Sequence, residues 1–219
     1  MESSNGIEKW LARVTASAHL PRLPHMTDAF AIFDLPRRPW LDAAELREEF
    51  HRRSATLHPD AGGDAGQFGQ LNAAHRTLSE PAARLRHLLE LEAPELLTQS
   101  QRIPPALADR FMRVAAARQT CATFLAKAAA ATSPLARALL AAEHTAQSRT
   151  LDSTLADLAA AQSDALTHLH ALDSDWPSRL PEIATLQAEL SYLEKWTAQL
   201  RASHLELTLA SAPNPNSEI

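Results

Sequence analysis

The chain is short of the residues that would build most alternatives to a helical protein. Of its 219 residues one is cysteine, one is tyrosine and five are glycine. A single cysteine excludes an internal disulfide and a cysteine-rich zinc site, and it suits a reducing compartment such as the cytoplasm. β-Branched residues nowhere alternate in runs, so no sheet is expected. Positive charge is not in excess either: the formal net charge is -5, which argues against a protein that neutralises nucleic-acid phosphates. Long apolar runs are missing as well. The alanine-rich stretch 114–131 comes nearest, but Arg118 and Lys127 interrupt it, so no membrane span is expected. What is present is alanine and leucine in helical spacing within a 45% hydrophobic composition, enough for a packed all-α core.

The most informative stretch is Leu57-His58-Pro59-Asp60-Ala61-Gly62-Gly63. Pro59 fixes its own φ and pushes His58 out of the helical region, so a helix arriving from Asp42 has to stop near Leu57. Gly62 and Gly63 then let the chain reverse. Upstream, Asp42 is a candidate N-cap with Glu45 three residues on, and Leu46, Phe50 and Leu57 recur on one side, which predicts a helix over 43–57. Downstream, Phe68, Leu71, Ala74 and Leu78 form a second stripe that Pro81 stops. Two antiparallel helices thus meet at a turn that displays His58 and Asp60. A short helix over 28–35, carrying Phe30, Ile32, Phe33 and Leu35, should cap the pair, and another over 84–91 should follow it.

The segments Asp28-Ala-Phe-Ala-Ile-Phe-Asp-Leu-Pro36, Leu57-His-Pro-Asp60, Asn72-Ala-Ala-His-Arg-Thr-Leu78 and Pro81-Ala-Ala-Arg-Leu-Arg-His-Leu-Leu89 together resemble the J-domain co-chaperones, and within them the HscB branch that serves iron–sulfur cluster assembly. The resemblance implies a J domain over 26–92, which docks on a DnaK-type (HscA-like) ATPase and stimulates its ATP hydrolysis without bond chemistry of its own. On the matching positions the docking residues are His58, Pro59 and Asp60 of the loop with Arg47, His51 and Arg52 of the helix before it. Glu48 and Glu49 dilute that basic face, and Arg53 stands where the family carries an apolar core residue, with its stem expected to run along the core. Asp60 suits a partner arginine, since a carboxylate accepts a guanidinium through two bonds.

Beyond this region, 93–105 loses periodicity and gains prolines, which marks a linker that packs through Leu96 and Leu97. From 106 to 210 three long stripes follow: Leu107, Phe111, Val114, Cys121 and Leu125; then Leu151, Leu155, Leu158, Leu166, Leu169 and Leu172; then Leu180, Ile183, Leu186, Leu190, Leu193, Leu200 and Leu207. They predict a three-helix antiparallel bundle. The resemblance extends to Tyr192-Leu-Glu-Lys-Trp196 and implies that this bundle holds an IscU-like iron–sulfur scaffold protein, with Leu107 and Phe111 as its apolar patch. The glutamates that accompany the patch in the family are replaced here by Ala115 and Gln119. An unrelated client therefore stays open, as does a degenerate helical adaptor that no longer stimulates an ATPase.

Before the J-like region, Ile7, Trp10, Leu11 and Val14 share a helical face within 1–25. That extension has no apolar signal core, and Glu2 and Glu8 count against a transit peptide. The tail over 211–219 should be disordered. No cofactor or metal site is expected. Cys121 sits on an apolar stripe and reads as a structural thiol; His168 and His170, two apart, do not face each other on a helix; His75, His87 and His144 read as packing or surface histidines. Nothing accompanies His58 and Asp60 that would make them an acid–base pair of an enzyme.

Overall fold

A computed structural model describes residues 27–99 and 104–211. The expected amphipathic helix before 26, residues 100–103 of the linker and the tail beyond 211 lie outside the described residues. The described residues form an all-α protein with no strand: α1 (Ala29–Ile32), α2 (Ala43–Leu57), α3 (Ala65–Ser79), α4 (Pro81–Glu92), α5 (Ala108–Ala130), α6 (Pro134–Leu172) and α7 (Leu180–Ser211). Short 3-10 turns stand at Pro59–Ala61, Pro94–Gln99, Pro105–Leu107 and Trp176–Ser178. None of the described helices is long and apolar enough to cross a membrane.

The helix ends follow from local chemistry. Asp42 caps α2 by accepting from the N–H groups of Ala44 (2.7 Å) and Glu45 (3.0 Å), and Ser133 caps α6, whose first residue is Pro134. α1 is shorter than its apolar pattern predicts. Its C-cap is Phe33, and Asp34 takes a left-handed backbone at φ 53, just before the Leu35–Pro36 pair, where proline disfavours a helical predecessor. Conversely α4 begins three residues before Arg84, because Pro81 is pre-set for the first turn of a helix. Its own N-cap residue, Glu80, gives no side-chain bond. Glu194 of α7 comes close to this end of α4, and its Oε1 is buried without a hydrogen-bond partner. Burial first, and then repulsion from Glu80, pushes the Glu194 carboxyl above its ordinary range.

In the second half, ion pairs fix the directions of the helices. Arg113 meets Asp157 and Lys127 meets Glu143, so α5 and α6 run antiparallel. The His144 ring nitrogen lies 3.2 Å from the Leu207 carbonyl and Ser148 3.3 Å from His204, so α6 and α7 do the same. The three stripes meet in one core of Leu107, Val114, Cys121, Phe124, Leu151, Leu158, Leu193, Trp196, Leu200 and Leu207. Burial raises the Cys121 thiol above its usual pKa, with Glu206 adding to it, so the buried thiol is structural.

The core is continuous across residue 92. Leu88 of α4 faces Phe30, Phe33, Leu46, Leu71 and Leu78, while Leu85 and Leu89 of the same helix face Leu169, Leu172, Ile183 and Leu190 of the long helices. Each fully buried leucine there contributes about 2 kcal/mol. Leu96 and Leu97 pack on this second cluster, and Trp176 touches both. Polar contacts reinforce the seam. Arg38 pairs with Asp173, whose carboxylate also accepts from the Trp40 N–H at 3.1 Å, and the Trp40 ring stands edge-on to His170 at 4.8 Å. Arg84 is buried, donates to the carbonyls of Pro39 (2.8 Å) and Leu78 (2.5 Å), and burial pulls its pKa down to about 10. His87 is buried beside it and accepts from the Ala29 N–H at 3.0 Å through Nε2.

Candidate partner-docking site

The turn at 58–63 is shaped by its own backbone. His58 closes α2 by donating its N–H to the Ser54 carbonyl (3.0 Å) and then turns to φ -63, ψ 132, the extended region that a following proline favours. Pro59–Ala61 makes one 3-10 turn, Gly62 takes φ 85, and its N–H reaches the Pro59 carbonyl at 2.9 Å. Gly63 N–H donates to the His58 carbonyl at 3.1 Å. A Cβ on Gly63 would stand 2.3 Å from the Leu57 carbonyl carbon and oxygen, so only glycine fits there. Asp64 then caps α3 through the Gln67 N–H (2.7 Å).

This geometry presents the two polar side chains outward. His58 is 46% exposed and Asp60 92%. The Asp60 N–H donates to His58 Nδ1 at 3.2 Å, so the proton of the neutral ring sits on Nε2 and that N–H is the donor left for a partner. The ring itself leans edge-on against Phe68 at 5.0 Å, which limits its swing. The Asp60 carboxylate stands exposed at the tip of the hairpin, with one oxygen 3.6 Å from His58 Nδ1.

On α2 the three expected basic positions are in different states. Arg47 is exposed and makes no ion pair among the described residues. His51 tilts against Phe50 at 5.7 Å. Arg52 is exposed but engaged: Nε lies 2.8 Å and Nη2 2.5 Å from the two oxygens of Glu49. Arg53 does not run its stem along the core to reach solvent. Its guanidinium turns inward to the end of α1, donating to the carbonyls of Ile32 (2.5 Å) and Phe33 (3.0 Å), lying 3.0 Å from Asp34 and 5.6 Å above the Phe33 ring. It also donates to Glu49. Arg52 first, then Arg53, hold the Glu49 carboxyl down to about 2. The Ile32 and Phe33 carbonyls, which short α1 leaves without helical partners, are what receive the Arg53 guanidinium. Behind this face His75 stacks on Phe50 at 4.0 Å, and burial, followed by the charges of His51 and Arg47, lowers its pKa.

The two bundle residues expected to form an apolar patch are separated. Leu107 is 0% exposed in the bundle core and offers nothing to a client. It stands in the 3-10 turn before α5 and is buried with Val114 and Cys121, while Phe111 falls at the edge of that core. Phe111 is 39% exposed, tilted against Trp196 at 6.0 Å, and its neighbour Met112 is 64% exposed. Met112, Ala115 and Gln119 follow at helical spacing on the exposed side. That spacing was present in the sequence as a second, solvent-facing stripe.

One further cluster has the residue types of hydrolytic chemistry. Ser148 lies 3.3 Å and Asp152 3.6 Å from His204, but both approach the same nitrogen, Nε2. A serine–histidine–aspartate relay needs the two partners on opposite ring nitrogens. Among the described residues no group of three histidine, cysteine or carboxylate side chains is placed to hold a metal ion.

No family model matches the chain. It is 34% identical over 88 residues to the co-chaperone protein HscB homolog of Chromobacterium violaceum, which covers 36% of this chain and 50% of that protein. The chain thus spans about half the length of the curated relative it matches. Among solved structures, the chaperone HscB from Vibrio cholerae superposes with a TM-score of 0.53 at 20% identity, covering 83% of this chain and 99% of that one. In sequence over part of its length, and in fold over most of it, the chain is HscB-like.

Proposed function

We propose that the protein is a co-chaperone of iron–sulfur cluster assembly that docks on a DnaK-type (HscA-like) chaperone, stimulates its ATP hydrolysis and delivers an IscU-like scaffold protein. The observation that carries this reading is the His58-Pro59-Asp60 turn, which displays two polar side chains on a loop shaped by Gly62 and Gly63 and by local bonds, His58 Nδ1 among them. A histidine N–H and an exposed carboxylate so displayed suit recognition of a partner surface. Arg47, His51 and Arg52 extend the contact along α2. Residues 26–92 act as the docking unit and 106–210 as the client unit, with Phe111 and the adjacent Met112 as the apolar client contact and no role for Leu107. The protein works by contact, carries no cofactor and acts in the cytoplasm.

A second reading, a J protein with an unrelated client, draws on one observation: the exposed side of α5 next to Phe111 carries Ala115 and Gln119 and no carboxylate. Single-turnover ATP hydrolysis by the host's DnaK-type chaperones tests both. A rise on adding this protein, larger with a purified cluster scaffold present, is the expected result. Stimulation indifferent to the scaffold moves the client elsewhere, and none at all leaves a helical adaptor.

A further inference from the structure

Helix α2 carries Arg47, Arg52 and Arg53 against Glu45, Glu48 and Glu49, so its six formal charges cancel, yet they are not equivalent. Glu48 stands four residues before Arg52, the spacing at which the two attract on a helix, but Arg52 is turned to Glu49 and meets it through two bonds. Glu49 is not a freely swinging surface carboxylate. It is half-buried, with one oxygen also taken by Arg53, and Arg53 is itself anchored on the Ile32 and Phe33 carbonyls and on Asp34. The chain of bonds runs from the end of α1 through Arg53 to Glu49 and ends on the guanidinium that a partner would need.

We propose that Glu49 is a specificity-determining residue of the docking face, an inference that rests on the docking function proposed above. It holds Arg52 in place as a competing ligand. A diffusely acidic partner surface meets Arg47 and the 58–60 loop but gains little from Arg52. A partner gains the whole contact only where it sets a carboxylate able to take both guanidinium bonds in exchange for those of Glu49. The chain thereby discriminates among DnaK-type ATPases by the placement of one carboxylate, because a bidentate pair depends on geometry as well as charge. The same competition works against binding to acidic surfaces in general.

The test is a double-mutant cycle on affinity for a purified DnaK-type chaperone with ATP, using the full chain, Glu49→Gln, Arg52→Ala and the double variant. An exposed ion pair is weak, so freeing Arg52 by Glu49→Gln should tighten binding about 3-fold. Arg52→Ala should weaken the native protein about 2-fold but the Glu49→Gln protein about 6-fold, since only there is the guanidinium uncommitted. Equal factors in both backgrounds would overturn the proposal, because Glu49 would then act through its charge alone. His58→Gln separates the two levels. If the native protein binds and His58→Gln binds as well, the docking reading itself falls; if neither the native chain nor Glu49→Gln binds, both fall.

Discussion

At the tip of the α2–α3 hairpin the bonds that shape the chain close within a few residues, the longest joining Gly63 to His58. At the seam around α4, bonds join residues far apart: Arg84 to Pro39 across 45 positions and Ala29 to His87 across 58 tie α4 to the segment before α2, and Arg38 to Asp173 across 135 ties that segment to the end of α6. The tip buries almost nothing and leaves His58 and Asp60 in solvent, whereas the seam buries Leu85, Leu89, Leu169 and Ile183 together with a guanidinium and an imidazole. A recognition loop built from local bonds, one of them to His58 Nδ1, keeps its shape while leaving the His58 Nε2 side and the Asp60 carboxylate exposed. A seam built from long-range bonds and apolar packing fixes α4 between the hairpin and the bundle.

If that division is right, substitutions at the seam should unfold the protein and those at the tip should not. The largest effect belongs to Arg84→Ala. It strips the donors from the buried carbonyls of Pro39 and Leu78 and leaves a void, so chemical denaturation should show a loss of about 3 kcal/mol. A loss under about 1 kcal/mol would mean that water replaces the guanidinium and the seam is looser than described.

His87 comes next and sharpens the comparison through pH. Burial lowers its pKa, against the opposing pull of Asp28 and Glu90, and its Nε2 must stay unprotonated to accept from Ala29. The unfolded state therefore takes up a proton first. The contribution of His87 is fully present above the unfolded pKa of about 6.5 and is lost as pH falls below it. The native protein should lose more thermal stability between pH 7.5 and 5.5 than His87→Gln, whose amide accepts without titrating; parallel melting curves would contradict this.

Glu194→Gln should move stability the other way. The folded-state pKa of Glu194 is raised, by burial and then by Glu80, so ionisation at neutral pH opposes folding, and that cost disappears as pH falls through the raised value. A glutamine keeps the size of the side chain without its charge. The variant should melt higher than the native protein at pH 7, with the difference shrinking toward pH 4; a lower melting temperature at pH 7 would show that the carboxylate's interaction with the start of α4 outweighs its burial.

The smallest structural effect is expected at the tip. His58→Gln should change stability by no more than about 0.5 kcal/mol while abolishing stimulation of a DnaK-type ATPase. Retained stimulation would remove the loop from the docking face, and a large destabilisation would show that the edge contact with Phe68 matters more to the fold than to recognition.

Much of this was readable in the residues because it is local. Asp42, Pro59, Pro81 and Ser133-Pro134 mark helix ends through their own backbone preferences, and the leucine stripes of α6 and α7 face the core as their spacing requires. The 58–63 turn was legible for the same reason. Residues whose role depends on a distant segment were not. Arg53 and Arg84 read as charges yet serve carbonyls 21 and 45 positions away, and nothing near Glu194 in the chain announces that it comes close to Glu80, at the start of α4. Leu107 and Phe111 look alike on one stripe, yet the first is buried in the bundle core and the second falls at its edge.

Composition, prolines and apolar periodicity therefore settle an all-α chain, the two ends of α2 and the turn at His58-Pro59-Asp60, since each of these is decided within a turn or two of backbone. Which buried polar group meets which carbonyl, and which of two apolar residues is left in solvent, are decided only when the helices come together, because those contacts exist only between segments that folding brings within about 3 to 4 Å of one another.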